Sequence, residues 1–338
     1  MHDVARIAGV SLKTVSRVVN NEPGVGASTS MRVLAAIESL GFRPNDLARS
    51  LRKGGSSATI GLVIEDLGNP FYAAVARAVE RVAHHHRHLV MVTSSEEDPA
   101  RERDSVAALV RRRVDGLVIV PSARDHRYLR TELKMGIPLV FVDRPPHGIE
   151  ADVILLDNVG GAQLAVEHLL AQGHRRIAFV GDPPTVFTSE ERLRGYRQAL
   201  DRCGVQPDED LVCLSARDVD QAEAAVYGLL ALPDPPTAMF AQNNRSCIGA
   251  LRAVHQSQAA VAVVGFDDFE LADMLPVPAT VVSHGPSQVG RLAAELLFAR
   301  LAGDTRPPQR IVMPVRLIVR GSGEVPAPRL TGESAGGA

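Results

Sequence analysis

From Thr59 onward the chain alternates short apolar, β-branched runs with amphipathic helical stretches, and this pattern constrains its fold more than any other feature. Ile60-Gly61-Leu62-Val63-Ile64 is followed by a helical stretch over about 71–86, and Leu89-Val90-Met91-Val92 by one over about 99–112. Gly116-Leu117-Val118-Ile119-Val120 and Ile137-Pro138-Leu139-Val140-Phe141-Val142 continue in the same style. Strands apolar on both faces and separated by helices predict a parallel sheet covered on both sides. The cycle restarts at Asn158, with helices over 161–171 and about 190–203 and strands at 177–180, 211–214, 238–241 and 261–264. Two runs of βα units predict two similar lobes. Ligands of open α/β sheets bind at the carboxyl ends of the strands, so the cleft between the lobes is the expected site.

The first 55 residues read differently. Helical segments are expected over 3–8, from Leu12 after a capping Ser11, and over 29–40 before Gly41. Two helices that meet at a tight turn need a small residue at the contact, supplied by Ala5. They need a residue tolerant of positive φ, supplied by Gly9, and an apolar wedge, supplied by Val15. The exposed face of the second helix then carries Lys13, Thr14, Ser16, Arg17 and Asn20, all able to bond bases or phosphates. A plain helical hairpin with a solvated polar face is the alternative. Residues 1–55 hold eight Lys or Arg against four Asp or Glu, on a chain whose net charge is −2. A basic module on an acidic body suits contact with phosphates.

The stretch Asp3-Val4-Ala5-Arg6-Ile7-Ala8-Gly9-Val10-Ser11-Leu12-Lys13-Thr14-Val15-Ser16-Arg17-Val18-Val19-Asn20 resembles the LacI/GalR family of bacterial regulators. The resemblance continues through Gly41-Phe42-Arg43-Pro44-Asn45 and Ala48-Arg49-Ser50-Leu51, and on to about Arg320. It implies an all-α helix-turn-helix domain over 1–43 and a hinge helix and linker over 44–56. An α/β two-lobed domain like periplasmic binding proteins would follow over 57–322. Lobe one would take 57–157 and 286–313, and lobe two 158–285 and 314–322. The remainder, 323–338, is rich in Pro, Gly, Ala and Ser and is expected to be disordered.

Carried over by position, Leu12, Lys13 and Arg17 would read bases in the major groove. Ser11, Thr14, Ser16 and Asn20 would contact the DNA backbone or fix the helix. Ala48 and Leu51 would enter the minor groove, Leu51 as the wedge that kinks the duplex. For the effector the resemblance implies Asn69, Phe71, Tyr72, Asp143, Arg144, Arg192, Asn243, Asp267 and His284. Arg with Asp suits a polyol, because each meets adjacent hydroxyls in bidentate fashion, and Phe71 with Tyr72 could stack on a ring. The chain departs from the family pattern at Asn244, where an Asp is usual, and at His284 and Gly285. It also departs at Gly26, where a capping Ser is usual. The family carries a few more residues before Asp3, including a Ser or Thr that caps the first helix.

The expected protein is a homodimeric, cytoplasmic repressor of carbohydrate genes that binds a pseudo-palindromic operator and a small-molecule effector, with no cofactor, no metal and no membrane association. A regulator sensing a purine or other non-sugar metabolite, or a cytoplasmic solute-binding protein without DNA function, would share much of the pattern. An enzyme is disfavoured, since no nucleophile–base set, zinc motif or phosphate loop is present. Cys203, Cys213 and Cys247 form no C-x-x-C pair, which fits a reducing compartment. Met1-His2-Asp3-Val4 has no leader character. His84-His85-His86 and Arg111-Arg112-Arg113 end helices and are read as solvated faces.

Overall fold

The computed structural model describes residues 1–20, 22–42 and 57–328, and the chain divides into two compact units, Met1–Ser57 and Ala58–Ala338. In the first, α1 (His2–Ala8), α2 (Leu12–Val19) and α3 (Ala27–Ser39) close on Val4, Ala5, Ala8, Val15, Val33 and Ala36. Val15 is the fully buried wedge that the sequence predicts. Gly9 sits at φ 63°, and its turn returns the N–H of Gly9 to Arg6 and that of Val10 to Ala5. A residue with a Cβ is strained in that left-handed conformation. Ser11 Oγ accepts the Thr14 N–H at 3.2 Å and caps α2. Neither α1 nor α3 has a side-chain cap, and Gly26 holds the capping position of α3.

The second unit has two lobes. Along the chain, lobe one is built from β1 (Thr59–Ile64), α4 (Pro70–His85), β2 (Leu89–Ser94), α5 (Pro99–Arg111), β3 (Gly116–Ile119), α6 (Arg130–Lys134), β4 (Leu139–Val142) and β5 (Asp152–Leu156). Lobe two follows with α7 (Asn158–Ala171), β6 (Ile177–Val180), α8 (Phe187–Arg202), β7 (Val212–Cys213), α9 (Val219–Leu230), β8 (Ala238–Ala241), α10 (Asn244–Ser257), β9 (Ala262–Phe266) and β10 (Thr280–Ser283). The chain then returns to pack α11 (Pro286–Leu301) against lobe one, adds β11 (Arg310–Met313) to its sheet, and adds β12 (Arg316–Ile318) to the other. It therefore crosses between the lobes three times.

Sheet one has the order β11-β5-β4-β3-β1-β2 and is wholly parallel, whereas sheet two has the order β12-β10-β9-β8-β6-β7, with β12 alone antiparallel. β1, β3, β4 and β5 are buried throughout. The edge strand β2 instead exposes Leu89. A parallel sheet needs cover on both faces, so its inner strands read as unbroken apolar runs.

Some local expectations change. The strand expected over 211–214 shortens to Val212–Cys213, because Asp208 accepts the Asp210 N–H and winds Glu209–Leu211 into a 3-10 turn. The helix expected from 161 begins at Asn158, where Asp157 caps it by accepting the Gly160 N–H. Residues 323–328, grouped above with a disordered tail, are held to lobe two. Glu324 bonds His168 and Thr280, and the Val325 carbonyl bonds His174. Polar anchors there outweigh the tail-like composition. Residues 329–338 lie outside the described ones.

Candidate functional site

On the first unit, Ser11, Leu12 and Lys13 are exposed at the start of α2, and Thr14, Ser16, Arg17 and Asn20 are half-buried along it. The N-terminal turn of α2 is thus free to meet a groove, and Leu12 offers an apolar contact at 40% exposure. Thr14 is tied to Ser11, hydroxyl to hydroxyl, at 2.9 Å. Asn20 donates to Ser16 Oγ at 3.3 Å. Both pairs hold the helix and still offer polar atoms outward. Ala48 and Leu51 lie outside the described residues.

The cleft gathers residues from the carboxyl ends of both sheets. Asp143 follows β4 and Asp267 follows β9, and both adopt a left-handed backbone, at φ 72° and 68°. A non-glycine residue held there costs of order 1 kcal/mol and is typical of binding sites. Both carboxyls are buried and face the same cavity. Asp267 Oδ1 accepts from His284 Nε2 at 2.7 Å, and Oδ2 lies 3.4 Å from Arg192 Nη1. Burial alone would push Asp267 up, but Arg192 and His284 hold its carboxyl below the usual range. Asp143 goes the other way: burial raises it, and Arg144 and Arg192 only partly offset that.

Arg192 is fixed on every side. Nε donates to Asn158 at 2.8 Å, Nη1 donates to the Gln242 carbonyl at 2.5 Å, and the guanidinium stacks 3.6 Å from the Phe266 ring centre. Such a preorganised cation spends little entropy on binding. Arg144 is caged instead. It donates to Glu97 at 2.8 Å, to Glu65 at 3.1 Å and to the Pro121 carbonyl at 3.1 Å. Its terminal nitrogens are committed and its Nε lies 3.6 Å from Asp143, so it positions carboxylates and has little left for a ligand. Tyr72 is also a support: its ring is buried, and its hydroxyl lies 2.8 Å from Glu65 and 3.2 Å from Asp143. It offers no open stacking face. Phe71 lines the cavity and meets His284 edge-on at 5.1 Å.

Asn69 caps α4 by accepting the Phe71 N–H at 3.0 Å, and the same oxygen accepts from Asn244 Nδ2 of lobe two at 3.0 Å. The Asn at 244 therefore supplies a donor that an Asp could not. Asn243 caps α10 through Ser246 and donates to Asp182 at 2.7 Å. The cleft also holds Glu65, Glu97, Asp182 and Arg217, and Arg245, which is paired to Asp66 across the lobes. The sequence reading missed these five. Glu65 and Asp182 follow β1 and β6 almost at once, so the strand-end rule that nominates Asp143 and Asp267 nominates them equally.

Residues 1–45 match the model of bacterial regulatory proteins of the lacI family, and residues 166–323 match a periplasmic binding protein-like domain. The chain is 33% identical over 328 residues to the ribose operon repressor of Escherichia coli K12, covering 95% of this chain and 99% of that protein. The chain belongs to the LacI family. It is a transcription regulator, as are its relatives, and not an enzyme. The regulator GalR of Escherichia coli K12 is 33% identical, over 90% of this chain and 89% of its own. The solved lac repressor dimer bound to operator and the anti-inducer ONPF superposes with a TM-score of 0.82 at 28% identity, over 95% of this chain and 98% of that one. The regulator CelR bound to cellobiose superposes at 0.71 with 32% identity, over 95% and 98%.

Proposed function

We propose that this LacI-family protein is a cytoplasmic repressor of carbohydrate genes, a homodimer that releases or grips a pseudo-palindromic operator according to a polyol effector in the cleft. The observation that carries the effector reading is the pair of strained, buried carboxyls, Asp143 and Asp267, facing one cavity with the locked guanidinium of Arg192 beside them. Carboxylate and guanidinium together recognise adjacent hydroxyls, and relatives named for ribose and a solved complex with cellobiose fit the same chemistry. Among the described residues no helix is long and apolar enough to cross a membrane. A homodimer is supported by lobe two's apolar hollow of about 490 Å³, lined by Ile248, Leu251, Val254, Phe269, Leu275 and Val277, with Met274 exposed beside it.

On the DNA side, Leu12, Lys13 and Arg17 read bases, and Ser11, Thr14, Ser16 and Asn20 hold the backbone. The hinge pair Ala48 and Leu51 grips the centre of the site. Ligand binding shifts the lobe equilibrium by its differential affinity for the two states. The test is operator binding by fluorescence anisotropy with a panel of pentoses, hexoses and disaccharides. At least one sugar should change operator affinity roughly fivefold or more, and Arg17→Ala should abolish specific binding while sugar binding persists. Unchanged operator affinity in Arg17→Ala would overturn the recognition-helix assignment.

A further inference from the structure

The carboxyls that line the cleft include those of Glu65, Glu97, Asp143, Asp182 and Asp267, set around two caged guanidiniums, Arg144 and Arg192. Of the other cations at the cleft, Arg245 is committed to Asp66, and Arg217 lines the same cavity with its side chain exposed to water. Asp182 has no cation bonded to it. Its Oδ2 accepts from Gln242 at 2.9 Å and from Asn243 at 2.7 Å, and its Oδ1 has no partner among the described residues. Glu65 differs in having a cation, Arg144, which it shares with Glu97; Arg144 and Tyr72 both donate to its Oε2. The Gln242 side chain that holds Asp182 is itself almost fully buried, and its amide oxygen is unpartnered. Glu65, Glu97 and Asp182 all line one cavity of about 180 Å³, the first two from lobe one and the third from lobe two.

A part-buried carboxylate without a cation, and two carboxyls sharing one guanidinium, are costly to hold. A cleft built this way is completed by a ligand that brings both hydrogen-bond donors and positive charge. Resting on the reading of the cleft as the effector site, we propose that the effector is a polyol carrying a protonated amine, received by Asp182 of lobe two and by Glu65 and Glu97 of lobe one. An ammonium offers three donors and no acceptor, which matches the open oxygen of Asp182 and the Glu65–Glu97 carboxyl pair that shares one guanidinium. Asp143, Arg192 and Asp267 then take the hydroxyls. The amine ties one lobe to the other, so its charge also favours closure. The electrostatics of the free protein agree: burial lifts Asp182 above its ordinary value, and burial with the neighbouring Glu97 lifts Glu65 to about 7 against the pull of Arg144.

The experiment is calorimetric titration of the full-length protein with D-glucosamine and D-galactosamine, with their parent hexoses, and with their N-acetyl forms, which keep the nitrogen and lose the charge. At least one amine should bind about tenfold or more tighter than both its parent and its N-acetyl form. Asp182→Asn, a near-isosteric change, should remove most of that preference, bringing the amine to within about threefold of its parent sugar. Glu97→Gln serves as a second variant should Asp182→Asn fold poorly. A parent sugar that binds as tightly as its amine, and is lost in Arg192→Ala, overturns the amine assignment while leaving the cleft as the effector site. Sugar binding that Arg192→Ala leaves untouched overturns the cleft reading itself. Binding by none of the six compounds overturns both.

Discussion

Asp143 and Asp267 occupy equivalent places in the two lobes and are electrostatic opposites. Each follows a central strand, each has a left-handed backbone and each faces the same cavity. Asp267 is held low by Arg192 and His284, a cation and a donor aimed at separate oxygens. Asp143 is lifted by burial and shares a region with Glu65 and Glu97 around one guanidinium. Similar βα architecture thus yields a carboxyl held below its ordinary value on lobe two and one lifted above it, in a carboxyl-rich wall, on lobe one. The backbone decides where a polar group stands, and its neighbours decide in what charge state.

The sharpest way to break this contrast is Arg192→Ala. It leaves Asp267 buried beside His284 alone, and chemical denaturation should show a loss of about 3 kcal/mol. Effector response should vanish with it. A loss under about 1 kcal/mol would mean that Asp267 does not depend on its cation. Smaller is the difference between two matched variants. Asp267→Asn removes a charge that Arg192 relies on and should cost about 2 kcal/mol. Asp143→Asn replaces a carboxyl already displaced toward its neutral form, so the same denaturation assay should show the smaller loss. Equal losses would erase the contrast.

The smallest effect is in pH dependence. A carboxyl whose pKa is raised by folding binds its proton more tightly in the native state, so its contribution is full below the unfolded value and is lost as pH rises through the folded one. For Glu65 that window runs from 4.5 to about 7. Glu65→Gln should therefore flatten the fall in stability across that range, read by thermal melts at several pH values. An unchanged slope would place the proton elsewhere in the cluster.

Much of this was legible in the sequence. Unbroken apolar runs announce parallel strands because both faces are covered. The Gly9 turn, the Ala5 contact and the Val15 wedge announce the helix pair because few residues meet those steric demands. Asp143, Arg192, Asn243, Asp267 and His284 do converge on the cleft or its wall. What the sequence hid was commitment. Tyr72 reads as a stacking ring but is buried with its hydroxyl on carboxyls, and Arg144 reads as a ligand clamp but is spent on Glu65, Glu97 and Pro121. Those partners are up to 79 residues apart in sequence, and no local pattern encodes such pairings. Asp182 was hidden for another reason. It precedes two prolines in what reads as a loop, and only the strand end of β6 brings it to the cavity.

The central claim is that a helix-turn-helix unit on a two-lobed sensor reads operator DNA as a symmetric dimer. Selection of bound duplexes from a random-sequence pool by the full-length protein, followed by sequencing, tests it most directly. The account predicts enrichment of an inverted repeat with two equivalent half-sites, absent in a parallel selection with Arg17→Ala. Enrichment of no sequence, or of the same sequence by both proteins, would contradict it.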